Sequence, residues 1–335
     1  MVILINKNIF DNIDNEKCTA IKYLLCIAIY HNRYQLLVNS ALSEQIERKI
    51  GRSDAELLKQ AYVKSINIRS HDCEISNAGK SHDDEPIFTI EEGIRYLLQP
   101  VSIVLENSKN DGYFISEMVR VYNNEKLAKA LDEQWVCYVN AGGCSNFRNV
   151  LEVMLSQHNG RKKFLRCYVI LDSDKHAKNH IVPKTQKYEK ELNEMGVPYH
   201  IWEKRMMENY VPDGALKDSS WKDAYVHLSD EQKDFYYFSG GFEKDEKYEE
   251  EGFVRIPNSV GRKALLPCEE ELYSSVSEVN YQKLRCGMPA YSKELFPKLF
   301  KDPSVVNKTS MRSRLSVDGG LNEVELVLEN LSKLL

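Results

Sequence analysis

The sequence predicts an α/β protein: a parallel sheet with helices on both faces, a helical N-terminal region before it and an α/β or helical C-terminal extension after it. Two observations carry this. Three short apolar runs, 101–106, 138–143 and 167–174, each end in carboxylates or glycines: Glu106, Gly142-Gly143 and Asp172-Ser-Asp174. Between them apolar residues recur at steps of three and four, Phe114, Ile115, Met118, Val119 and Tyr122 after the first run, Phe147, Val150, Leu151, Met154 and Leu155 after the second, which is the spacing of amphipathic helices. Strands that alternate with helices need crossover connections, and those make a parallel sheet.

In chain order, residues 1–99 are expected to be mostly helical and to serve packing or partner binding. An apolar helix is expected over 18–30, and two capping boxes, Ser53 with Glu56 and Thr89 with Glu92, start later helices. The second of these runs from Ile90 to Leu98. Gly79-Lys-Ser81 has the tail of a phosphate-binding loop, but Glu74 stands where that loop requires its first glycine. Pro100 marks a boundary, because the residue before a proline resists helix.

A core over 100–212 follows. After the third strand a polar helix is expected over roughly 184–194, closed by Gly196 and followed by a strand at 197–201. Asp172 and Asp174 flank a strand end where the chain turns, so both can converge on a hard cation that takes oxygen ligands. In open parallel sheets the carboxyl ends of strands are where ligands sit. Glu106 and the Gly142-Gly143 turn, at two other strand ends, complete a candidate site.

This order of motifs, with Glu106, Gly142-Gly143 and Asp172-Ser-Asp174, resembles the TOPRIM domain shared by topoisomerases, primases and OLD-type nucleases. The run Trp202 to Tyr210, with its Glu208-Asn-Tyr210 end, resembles the segment that follows the sheet in OLD-like effectors of bacterial anti-phage defence. The resemblance covers about a third of the chain, 101–212. It departs from the pattern at Asn107, where the family has glycine, and its next acid is Asp111, expected as a helix N-cap.

The resemblance implies a nuclease that hydrolyses DNA or RNA with Mg²⁺ or Mn²⁺. Asp172 and Asp174 would hold one ion, Glu106 would share it or act as general base, and Glu208 would hold a second. Gly142 and Gly143 would let backbone approach phosphate. Lys283 or Lys293 would supply the basic residue that such nucleases carry late in the chain. Control by a separate ATPase subunit is implied, and a second copy of the chain is among the expected partners.

Charge supports the same picture. The net charge is −5, yet 160–187 holds eight Lys or Arg against the two aspartates, so phosphate-binding cations, Lys175 and Lys178 among them, are expected around the acids. His176 and His180 in this stretch are expected at the surface or on phosphate. Three rivals stand beside the nuclease: an Asp-x-Asp phosphatase, a nucleotide-sugar transferase, and a non-catalytic TOPRIM-like binding subunit. The phosphatase wants Thr or Val two places beyond its second acid, where Lys175-His176 stands, and the transferase has no use for Glu106.

The region 213–335 is expected to hold an acidic solvated insertion at 243–251 and a closing amphipathic helix carrying Leu321, Val324, Val327, Leu328, Leu331 and Leu335. A hydrophobic content of 42% and a charged content of 28% suit a globular chain. The longest apolar run, 23–30, is too short to span a bilayer, and no secretory pattern opens the sequence. Eight cysteines without a C-x-x-C pair suggest neither zinc nor disulfides. A cytoplasmic setting without membrane attachment is expected.

Overall fold

The structure is a computed structural model that describes residues 1–30, 33–38, 44–77, 85–242, 246–249, 252–255, 266–289, 291, 294–314, 317–318 and 321–335. Gly79-Lys-Ser81 and Lys293 lie outside them. The fold is α/β, with two four-stranded parallel sheets flanked by helices.

The first sheet is a feature that the expectation for 1–99 did not include, although helix outweighs strand among the described residues there. It consists of β1 (Val2–Ile5), β2 (Gln35–Val38), β3 (Cys73–Ile75) and β4 (Ile87–Phe88), in the order β2-β1-β3-β4, with α1 (Asn15–Leu25), α2 (Glu44–Ile50), α3 (Arg52–Ser65) and α4 (Ile90–Leu98) around it. Strands of two to four residues are too short to show a period, which is why the pattern hid them. α1 continues as a π-helical segment over Cys26–Tyr30. The Thr89–Glu92 box forms as expected, with both reciprocal bonds. The Ser53 box does not: α3 begins at Arg52 behind Gly51, so Ser53 already lies inside the helix.

The second sheet contains β5 (Val101–Leu105), β6 (Val136–Asn140), β7 (Cys167–Leu171) and β8 (Tyr199–Ile201), in the order β6-β5-β7-β8. Crossovers are supplied by α5 (Asn110–Val121) with α6 (Glu125–Asp132), by α7 (Phe147–Ser156), and by α8 (Pro183–Met195), which ends in the left-handed Gly196. Alternation along the strands divides the core. Ile103, Leu105, Tyr168 and Ile170 pack with α5, α6 and the C-terminal region, while Val104, Val169 and Leu171 pack with α7 and α8. All five residues of β7 are buried.

Beyond 212 come α9 (Ser220–Val226), α10 (Asp230–Phe235), β9 (Glu246–Glu249), β10 (Gly252–Arg255), α11 (Pro267–Leu272), α12 (Glu278–Leu284), α13 (Phe296–Leu299), α14 (Lys308–Ser313) and α15 (Glu323–Lys333). Aromatic rings knit these to the sheet: Phe114 meets both Trp202 and Phe300 edge-on at 5.7 and 4.9 Å between centroids. The acidic stretch is not all loop, since Glu246–Glu249 pairs antiparallel with Gly252–Arg255. Among the described residues no helix is long and apolar enough to cross a membrane.

Candidate functional site

The chain leaves β5 toward β6 on one side and returns as β7 on the other, so the carboxyl ends of β5 and β7 lie at a switch point of the winding, the usual crevice of open α/β sheets. Leu105 aligns with Ile170, and the next residues outward are Glu106 on one strand and, one step past Leu171, Asp172 on the other. The three acids expected from the sequence therefore leave adjacent strand ends.

Beyond β7 the backbone turns sharply. Asp174 has φ +54°, a left-handed conformation that aspartate tolerates better than most residues. Two bonds hold the turn: the Ser173 hydroxyl donates to the Lys204 carbonyl at 2.7 Å, and the Asp174 amide to the Arg205 carbonyl at 3.0 Å. Thr185 of α8 donates to the Ser173 carbonyl at 3.0 Å. On the neighbouring turn Gly142 and Gly143 have φ +72° and +124°, and both amides donate to the Glu106 carbonyl, at 3.1 and 3.2 Å. Those donors are engaged, so the glycines serve by their backbone shape and by the open space above them, rather than by free amides aimed at phosphate.

Electrostatics draws the acids together. Burial pushes the Asp172 carboxyl well above the ordinary carboxylate range, and the charges of Asp111, Glu208, Glu106 and Asp174 push it further. Asp174 is raised too, by burial first, with Lys184 opposing and Glu106 adding. Burial works against the charge of Lys184, but Asp174 outweighs it and the lysine's pKa rises.

Each acid nevertheless has a separate partner. Glu106 accepts from the Cys144 thiol at 2.8 Å, a thiol kept protonated by burial and by that same carboxylate. Asp172 accepts from the Met207 amide at 3.3 Å, and Asp174 stands 3.7 Å from the Lys184 ammonium. Glu208, buried on the 3₁₀ turn Met207–Tyr210, accepts from the Tyr291 hydroxyl at 2.8 Å. Asp111 is not the N-cap, which is Lys109: Asp111 lies inside the first turn and accepts from the Asn107 amide at 2.9 Å, while the Asn107 side chain accepts from the Lys109 and Asn110 amides ahead of the helix. No three His, Cys, Asp or Glu side chains among the described residues are disposed to hold a metal ion as they stand. The donors themselves are carboxylate oxygens, which suit Mg²⁺ or Mn²⁺.

The expected ring of cations is largely elsewhere. Arg161 and Lys163 pair with Glu92 at 2.6 and 3.0 Å, and Arg166 is buried on carbonyls and on the Tyr34 hydroxyl. They bind the second sheet to α4 and β2 instead of facing phosphate. Lys175 is half-buried and Lys178 exposed beyond the Asp-Ser-Asp turn. Lys283 is exposed on α12, and no hydrogen bond or ion pair links it to the acids. His176 is not at the surface: it is buried, with Nδ1 2.6 Å from the buried Glu269, and His180 Nδ1 accepts from the His176 amide at 3.2 Å.

Lys184, Cys144 and Tyr291 are the site residues that the sequence did not reveal. Only Lys184 had a local signal, its place beside Pro183 in the first turn of the helix that follows the acids. Comparison with protein-family models, with curated proteins and with solved structures returns no match. What the fold and site define is an α/β protein with an acidic centre at a sheet switch point.

Proposed function

We propose that the chain is a TOPRIM-like, metal-dependent nuclease acting on DNA or RNA, in the manner of OLD-like anti-phage effectors. One observation carries this reading: four other carboxylates, from the turn after β5, α5, the turn after β7 and the 3₁₀ turn beyond β8, all act on the half-buried Asp172. Like charges at close quarters call for a proton or a cation. Asp172, Asp174 and Glu106 would hold the first Mg²⁺ or Mn²⁺ and Glu208 a second. Such ions, when bound, supply charge neutralisation and polarise the scissile phosphodiester.

The chain's own groups do the rest. Glu106, released from the Cys144 thiol, accepts the proton of the attacking water. Lys184 balances charge beside Asp174. Tyr291 keeps Glu208 oriented, its own proton held firmly because burial and the Glu208 charge both raise its pKa. Lys293 stays the candidate for the late basic residue. Control by a separate ATPase subunit, as the resemblance implies, is part of this proposal.

The test is cleavage of supercoiled DNA and structured RNA by the full chain with Mg²⁺ or Mn²⁺, against an EDTA control. Asp172→Ala is expected to reduce cutting to background and Glu106→Ala to slow it by about 10²–10⁴-fold, the usual weight of a general base. Equal cutting by both variants defeats the proposal. The separate engagement of every acid favours one second reading, a non-catalytic TOPRIM-like binding subunit. Nucleic acid binding without Mn²⁺ uptake or cleavage would select it.

A further inference from the structure

Far along the chain from the acids, a cavity of about 360 Å³ opens beside the starts of β1 and β2, where the N-terminal unit meets α6. Leu36 and Leu57 form an apolar wall, Gln60 and Lys64 project from α3, Lys126 comes from α6, and Arg33 lies at the junction. No carboxylate lines it. Burial lowers the Lys126 pKa, with the Met1 amine and Asp72 opposing; Asp72 is outside the lining and accepts from the Val2 amide at 2.6 Å.

Behind this cavity positive charge is concentrated without compensation. Arg33 and Arg166 share carbonyl acceptors: Arg33 donates to Leu97 at 3.1 Å and Gln99 at 2.8 Å, and Arg166 to Gln99 at 3.0 Å. Among the described residues neither guanidinium is paired with a carboxylate. Burial, and then the charge of Arg166, lowers the Arg33 pKa to about 10. Buried charges of one sign are costly unless an opposite charge approaches, and of the two guanidinium groups Arg33 is the one that lines the cavity.

We propose that the cavity binds a mononucleotide. Its volume is that of a small-ligand pocket. The leucine wall suits a heteroaromatic base, the Gln60 amide has both donor and acceptor for a base edge, and Lys64, with the ammonium protons of Lys126 not given to the Ser332 carbonyl at 2.6 Å, can make charge-assisted bonds to phosphate. None of this depends on the nuclease reading.

The experiment is calorimetric titration of the full chain, in EDTA so that the acids contribute no metal-bound phosphate, with the four ribonucleoside monophosphates, adenosine and inorganic phosphate as probes. At least one monophosphate is expected to bind at one site per chain, more tightly than adenosine or phosphate. The Lys64→Ala, Lys126→Ala double variant is expected to weaken it about tenfold or more, and Leu57→Trp, which fills the cavity, to abolish it with the circular dichroism unchanged. The proposal is overturned if no monophosphate binds, if inorganic phosphate binds as tightly, or if neither variant alters binding.

Discussion

Asp172 is where residue chemistry and stability meet. Its folded pKa lies above its ordinary value of 3.8, so between the two the native chain holds a proton that the unfolded chain has lost. Stability therefore falls as pH rises from that ordinary value through the raised one. Urea midpoints in metal-free buffer are expected to show this decline, Asp172→Asn to flatten it, and Mg²⁺ or Mn²⁺ to offset it in the parent alone. Asp174 separates shape from charge. At φ +54°, Asp174→Gly should stay within about 1 kcal/mol of the parent, whereas Asp174→Val should lose about 1–2 kcal/mol, while both lose metal-dependent cutting. Denaturation curves alongside cleavage assays check the split. The aspartates were legible because an uninterrupted apolar strand led up to them. Tyr291 was not, because its role comes from a contact with Glu208, 83 positions away in sequence.

Among the elements, β7 and the helices around it were readable from period and punctuation: Gly196 ends α8 and Pro183 begins it. The first sheet was not, since Cys73–Ile75 and Ile87–Phe88 carry no resolvable alternation. The basic run before β7 misled for a related reason: sequence gives charge but not direction, and Arg166 points inward. It donates to the Tyr34 hydroxyl at 2.6 Å, to Gln99 at 3.0 Å and to the Leu334 carbonyl at 2.9 Å, joining three regions of the chain. Arg166→Met would orphan those acceptors and is expected to cost about 3 kcal/mol, with Tyr34→Phe nearer 1 kcal/mol. Chemical denaturation measures both, and equal losses would mean that the guanidinium is no tie.

At the scale of the whole molecule, both sheets follow one winding, with the second strand outermost, then the first, third and fourth. The corresponding ends differ in chemistry. Where the second sheet presents acids, the first presents Asn6, Asn8 and Ser76, whose side chains bond one another or nearby polar groups. The C-terminal helix then closes the part that carries the acids: Glu323 accepts from His200 and from the Glu203 amide, both at 2.7 Å, and from the Tyr210 hydroxyl. Glu323→Ala is expected to lower stability by about 1–3 kcal/mol, since it leaves the buried Tyr210 hydroxyl unmet and removes the bonds from His200 and the exposed Glu203 amide. It should also weaken Mn²⁺ uptake, because Tyr210 ends the turn that carries Glu208. Calorimetry and metal titration test the two effects separately.

The strand that carries the aspartate pair is anchored at both extremities, by the Arg166 guanidinium at its root and by the Ser173 hydroxyl just past its tip. A strand tied at both ends resists sliding along its own axis, so the spacing between its tip and that of β5 is set by the fold, and any relief of crowding among the carboxylates falls to their side chains and the partners those side chains hold.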